Sequence, residues 1–234
     1  MVQKKTLLFT YDFPHSKSVD FIFQCVKKNI KIDAIVAASY KKINKPKSLF
    51  NFHKHNATLE HPKDLAVQFN IPYFNYDHNS SETKSIIKEL EINFGIIAGA
   101  RILKKNIITK FSYGVLNIHP GLLPYSRGLD SILWAVHNNK KLGVTAHLIN
   151  EKVDLGKLVL QQTFKPIKSD TMFDIYNKIY KMQIDLLPLA YNLIPSKFDF
   201  QILNSDNYNT YMTEENQKET LKKLKHYIAN YSKN

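Results

Sequence analysis

The order of apolar and polar positions divides the chain into alternating short buried runs and amphipathic stretches. Residues 5–10, with Leu7, Leu8 and Phe9, predict a first buried strand. Val19, Phe21, Ile22, Phe23, Cys25 and Val26 predict a helix over about 17–29, and the β-branched run 32–38 a second strand. Residues 40–60 are polar and basic with no period, which predicts a long surface loop. His61-Pro62-Lys63-Asp64 opens a helix running to about Phe69, because proline suits the first helical turn. Residues 71–74 then read as a short strand, Ser80-Ser81-Glu82 as the start of a helix over 82–92, and 94–98 and 114–118 as further apolar strands.

Beyond Pro124 the pattern predicts a helix at 129–138 and two strands, 142–149 and 157–164, joined as a hairpin with Asp154 in the connection. Ser169 and Asp170 are expected to cap a long helix ending near Leu193, with a stripe of Met172, Ile175, Ile179, Met182, Leu186 and Leu189. Residues 195–213 are irregular, and 212–231 read as a charged terminal helix. No internal repeat or low-complexity linker interrupts the chain. Strand, helix, strand, helix at this spacing implies an α/β architecture with a mostly parallel sheet. The chain is expected to form one main domain over 1–194 and a small helical C-terminal extension over 195–234. In open sheets of this kind, ligands sit beyond the C-terminal strand ends, where Asn117 and His119 lie.

Composition narrows the function classes. Of 234 residues, 44% are hydrophobic and 23% charged, enough for a sizeable core. No long apolar run predicts a membrane span, the N-terminus lacks a signal-peptide pattern, and the single cysteine, Cys25, permits no intrachain disulfide; a cytoplasmic location is expected. The formal net charge of +13 suits an anionic partner, yet it also follows from a composition rich in lysine, asparagine and isoleucine. The lysines are scattered, with no basic-aromatic pattern, so no nucleic-acid partner is expected. The nine histidines form no zinc-ligand spacing, and no metal is expected. His53 and His55 read as solvated loop residues.

The chemistry concentrates in residues 114–128. Asn117 and His119 are two apart on a predicted strand, so their side chains share a face. An amide can stabilise an oxyanion while an imidazole moves a proton. Asp154, on a later loop, could orient that imidazole. Each residue alone is as compatible with a structural role.

Together the segments resemble the folate-dependent formyltransferase family. The matching pieces are Asn117-Ile-His119-Pro-Gly-Leu-Leu-Pro124, Arg127-Gly128, Gly143-Val-Thr145-Ala-His147 and Val153-Asp154-Leu-Gly156, in order and at close to the family's spacing. Upstream, residues 97–103 resemble the segment holding the folate pterin ring, although one residue is missing between Gly99 and Arg101 relative to the small purine-pathway members. The resemblance implies a Rossmann-like fold of the formyltransferase type and 10-formyltetrahydrofolate as cosubstrate. It implies a catalytic set of Asn117, His119 and Asp154, a pterin site around Ala98, Gly99, Arg101, Ile102 and Leu103, and a cis bond at Leu123-Pro124.

The resemblance also bears on the amine acceptor. The stretch after the first strand, Tyr11 to Ser18, lacks the glycine loop that would hold a ribonucleotide phosphate, and some 40 residues after Pro195 are too few for the barrel of the initiator-tRNA branch. The segments Arg127-Gly-Leu-Asp130-Ser-Ile-Leu-Trp134 and Val144-Thr-Ala-His147 look like the branch that formylates nucleotide-linked amino sugars. That branch implies a dTDP-linked 4-amino-4,6-dideoxyglucose or a near relative, for a surface polysaccharide. Arg127, Asp130, Trp134 and His147 are its candidate contacts, and a homodimer through the C-terminal residues is plausible. Competing readings are glycinamide ribonucleotide or methionyl-tRNA as acceptor, a hydrolase releasing formate from the same carrier, and a non-catalytic binding module of the same fold.

Overall fold

The computed structural model describes residues 3–50, 59–194 and 200–232. His53, His55 and the 194/195 domain boundary therefore border on or lie outside the described residues. Among the described residues, eight strands form one sheet in the order β3-β2-β1-β4-β5-β6-β7-β8. The parallel half comprises β1 (Thr6–Tyr11), β2 (Ala34–Ala38), β3 (Tyr73–Asn75), β4 (Phe94–Ile97) and β5 (Val115–His119). The antiparallel half adds β6 (Leu142–Ile149), β7 (Gly156–Phe164) and the two-residue β8 (Ile202–Leu203).

Period-two side-chain direction explains why the inner strands are apolar throughout. Leu7, Phe9, Ala34, Val36 and Val115 point to one face, against α3 (Ser81–Glu89) and the short α4 (Lys105–Ile108). Leu8, Ile35, Ala37, Leu116 and Ile118 point to the other. There they meet α1 (Ser16–Lys27), α2 (Pro62–Gln68), α5 (Ser131–His137), α6 (Met172–Leu193) and α7 (Glu214–Tyr231). Cys25 is buried in this second layer as a free thiol.

The predicted elements appear within a few residues of their expected bounds. The cap of α6 is a correction: Thr171 accepts from the Asp174 amide at 3.2 Å, and Asp174 accepts from the Thr171 amide at 2.9 Å, a reciprocal capping box. Asp170 instead accepts from the Ile167 amide and pairs with Lys178. Phe200, Met212, Tyr227 and Ile228, from the C-terminal extension, share a core with Leu8, Phe21 and Ile175. No helix among the described residues is long and apolar enough to cross a membrane.

Candidate active site

The parallel strands β1, β4 and β5 end together, and the polar residues of β5 lie at that edge. Strand β6 runs back along β5 and pairs Asn117 with His147 and His119 with Thr145. Directly paired residues project on the same face, so His147 comes within 3.2 Å of Asn117 Nδ2 through Nε2. The other ring nitrogen of His147, Nδ1, lies 3.1 Å from the Leu155 carbonyl and donates to it. Nε2 is then the acceptor of a neutral ring, which fixes the Asn117 amide with its nitrogen toward His147. Burial, reinforced by the neighbouring His119, pushes the His147 pKa down to about 4 and so keeps the ring neutral.

His119 is buried at the end of β5 and held from both sides. Nε2 lies 2.7 Å from the Ser126 carbonyl, and Nδ1 lies 3.4 Å from Asp154 Oδ1. In a neutral ring the shorter contact takes the single N–H. Nδ1 can donate to Asp154 only when the ring carries a second proton. The ring fits because residue 121 is glycine: a Cβ there would stand 2.9 Å from Nε2 and 2.8 Å from the Ser126 oxygen. Asp154 lies in the β6–β7 turn with φ +52°, and its Oδ2 accepts from the Gly128 amide at 2.8 Å. The intervening loop is fastened to β6 by Thr145, whose hydroxyl donates to Gly121 O at 2.6 Å and accepts from Leu123 N at 3.0 Å. The Leu123-Pro124 bond is cis, as expected.

The C-terminal segment completes the edge. Asn209 N donates to Arg127 O at 3.1 Å, and Leu129 N donates to Asn209 O at 2.9 Å. Gly128, at φ +91°, tolerates this approach because it has no Cβ; one would lie 2.1 Å from the Asn209 oxygen.

Two clefts open on this edge. The larger, about 470 Å³, is lined by Lys45, Asp130, Leu133, Tyr176, Tyr211 and Met212 among others. The smaller, about 390 Å³, is lined by Ile97, Arg101, Ile102, Leu103, Asn117 and Asp154 among others. His119, Gly128 and Leu129 line both.

The structure thus brings Asn117, His119 and Asp154 together, with Arg101, Ile102 and Leu103 beside them. Ala98 and Gly99 lie behind that wall: Ala98 is fully buried, and a Cβ on Gly99 would meet Tyr11, Ser18 and His15. Of the four expected acceptor contacts, Asp130 lines a cleft and three do not. The Arg127 guanidinium donates to the backbone carbonyls of Val153, Ser205 and Asn207, clamping two segments. Trp134 Nε1 donates to Thr210 O at 2.8 Å and so braces the C-terminal segment. His147 serves Asn117 from below, as described above. For Arg127 and Trp134 the donors pair with carbonyls remote in sequence, and for His147 the ring N–H pairs with Leu155 O eight residues on.

Sequence reasoning missed Lys17, the cleft residues of the 45–50 segment, Met212 and Gln217. Lys17 Nζ donates to Ile118 O at 2.9 Å, between the two polar residues of β5, and burial lowers its amine to about 8 against the pull of Asp154. Gln217 is buried and holds the 47–50 segment: its side-chain oxygen accepts from Leu49 N at 2.8 Å and its amide donates to Lys47 O at 3.2 Å. No local pattern marks these residues, because their neighbours come from remote parts of the chain. No group of three or more metal-ligating side chains occurs among the described residues.

Comparison with known proteins follows the same lines. The formyl transferase family profile matches residues 15–191. The chain is 30% identical over 135 residues to methionyl-tRNA formyltransferase of Pelotomaculum thermopropionicum, covering 56% of this chain and 43% of that one. It therefore spans less than half the length of that relative. It is 30% identical over 130 residues to phosphoribosylglycinamide formyltransferase of Bacillus subtilis, covering 51% of this chain and 67% of that one. A solved sugar N-formyltransferase from Shewanella sp FDAARGOS_354 superposes with a TM-score of 0.64 at 20% identity, over 94% of this chain and 87% of that one. Phosphoribosylglycinamide formyltransferase from Bacillus halodurans superposes with a TM-score of 0.61 at 22% identity, over 82% of this chain and 97% of that one. Both structural likenesses are likenesses of fold.

Proposed function

Because the chain belongs to the formyl transferase family, we propose that it carries the formyl group of 10-formyltetrahydrofolate to the primary amine of a nucleotide-linked amino sugar. The observation that carries this reading is the wall shared by the two clefts. His119, Gly128 and Leu129 line both, so a carrier in one and an acceptor in the other meet at the imidazole. The smaller cleft suits the carrier: Ile97, Ile102 and Leu103 offer apolar surface beside Asn117 and Asp154.

The steps follow from the side chains. The lone pair of the acceptor nitrogen adds to the formyl carbon, and the carbonyl oxygen becomes an oxyanion. The Asn117 Nδ2–H not directed at His147 is placed to donate to it. His119 takes the proton that the attacking nitrogen sheds and becomes an imidazolium facing Asp154. Returning that proton to N10 of the carrier as the carbon–N10 bond breaks releases tetrahydrofolate and the formamide.

For the acceptor, support comes from the C-terminal segment. Tyr211, Met212 and Gln217 wall the larger cleft, yet lie beyond the family match, which ends at residue 191. A superposition spanning 94% of the chain must take in most of that segment, as the sugar N-formyltransferase does. Phosphoribosylglycinamide or methionyl-tRNA as acceptor is the competing reading, favoured by the two relatives of 30% identity. The test is to incubate the protein with 10-formyltetrahydrofolate and dTDP-4-amino-4,6-dideoxyglucose. A product heavier by one formyl unit, absent with His119→Ala, is expected. Turnover with phosphoribosylglycinamide or methionyl-tRNA and none with amino sugars would replace the acceptor.

A further inference from the structure

Resting on the reading above, we propose that Asp130, flanked by Tyr176 and Tyr211, is the subsite that seizes the acceptor's amine as an ammonium beside His119. The larger cleft supplies the geometry. Asp130, Tyr176, Tyr211 and His119 all line it. Burial raises the phenol pKa values of Tyr176 and Tyr211, and the nearby Asp130 charge adds to the rise in both.

Asp130 is also placed against its local preferences. It precedes α5 with φ +49° and ψ +33°, a left-handed backbone that costs a non-glycine residue stability, and its side chain does not cap the helix. Oδ2 accepts from Met212 N at 2.8 Å, which aims the carboxylate at the C-terminal wall of the cleft. Oδ1 has no hydrogen-bond partner among the described residues, and Asp130 lines the cleft.

Lys45 lines the same cleft, 5.8 Å from the Tyr211 ring centre, and forms no ion pair with Asp130 among the described residues. The cleft therefore presents a carboxylate and an ammonium that do not neutralise each other. A ligand with an ammonium at one end and a phosphate at the other complements both. A nucleoside diphosphate carrying an amino sugar is such a ligand. Before attack the ammonium passes one proton to solvent water, which leaves the nitrogen lone pair free; the second proton, shed after addition, is the one His119 takes. The carboxylate holds the remaining N–H and so directs that lone pair toward the formyl carbon.

The experiment is calorimetric titration of the full chain with dTDP-4-amino-4,6-dideoxyglucose and with its 4-hydroxy counterpart, dTDP-6-deoxyglucose. A charge-assisted hydrogen bond predicts a preference for the amino form of about ten- to a hundredfold in the unaltered protein. Asp130→Asn keeps an oxygen for the Met212 amide and removes the charge. It is expected to abolish the preference while the 4-hydroxy sugar binds as before. A preference that survives in Asp130→Asn, or equal binding of both sugars by the unaltered protein, would overturn the assignment and leave the nucleotide-sugar reading standing. Binding of neither sugar would overturn that reading and the assignment with it. The comparison of the two sugars on the unaltered protein needs no variant, so a misfolded Asp130→Asn would not shield the proposal.

Discussion

At the residue scale, the site depends on neutral and charged groups held a few ångströms apart. Asn117→Ala or His119→Ala is expected to lower turnover by about two to four powers of ten with the fold intact, the usual range for an oxyanion donor or a proton-transfer group. Steady-state rates beside a thermal melt check this, and turnover near that of the unaltered protein would remove the residue from the mechanism. His147 makes a prediction of opposite kind. Its folded pKa, about 4, lies below the unfolded value of about 6.5. A histidine lowered in this way costs no stability above the unfolded pKa. As pH falls from there toward about 4 the unfolded chain binds the proton and the folded one does not, so stability drops by a few kcal/mol. His78, buried under β1 and also lowered to about 4, adds to the same window. Urea midpoints at pH 7 and pH 4.5 measure the fall, and His147→Gln should make it smaller. A midpoint unchanged between the two pH values would mean that His147 is not buried in neutral form.

At the element scale, short contacts between loops set the edge that carries the candidate site. The Gly128–Asn209 approach leaves no room for a Cβ, so Gly128→Ala is expected to part the 208–212 segment from the loop. The expected signature is a loss of at least about tenfold in kcat/KM for the amine acceptor, with a smaller change for the carrier. An equal loss for both substrates would mean that the whole edge had moved. The capping box of α6 is a control far from chemistry. Thr171→Ala should cost about 1 kcal/mol of stability and leave kcat unchanged, as read from urea unfolding and the formyl-transfer assay.

At the scale of the whole molecule, the C-terminal residues belong to the core and to the cleft together. Helix α7 packs on α5, with Thr220 bonded to His137 at 3.0 Å and the Tyr227 hydroxyl donating to Lys140 O at 3.0 Å. Phe200, Met212, Tyr227 and Ile228 are buried, at roughly 1.5–3 kcal/mol for each fully buried large side chain. A chain ending at Ile194 is therefore expected to lose cooperative unfolding as well as activity, measured by calorimetry. A sharp transition in that shortened chain would mean that the C-terminal residues are dispensable for folding. Gln217→Ala is the gentler probe: it frees the 47–50 segment and should raise the KM for the acceptor at little cost in melting temperature.

Local pattern along the chain is enough for the alternation of strands and helices, the parallel half of the sheet and the placing of Asn117 and His119 at a strand end. Those features depend on apolar period and on side chains two apart, which are local properties. Ser169 and Asp170 looked like the cap of α6 because that helix start offered several capping residues, and the choice of Thr171 rests on one reciprocal pair of bonds. Strand β8 and helix α4 are too short to show a period. The hydrogen-bond partners of Arg127, Trp134 and His147 come from the folded chain alone, since polar side chains go to whichever donor or acceptor the fold brings near. The β5–β6 register set His147 under Asn117, and the returning C-terminal segment claimed Arg127 and Trp134. That same return placed Tyr211 and Met212 beside Asp130, from some eighty residues away in the chain. Burial and proximity across such distances depend on packing, and no local pattern encodes them.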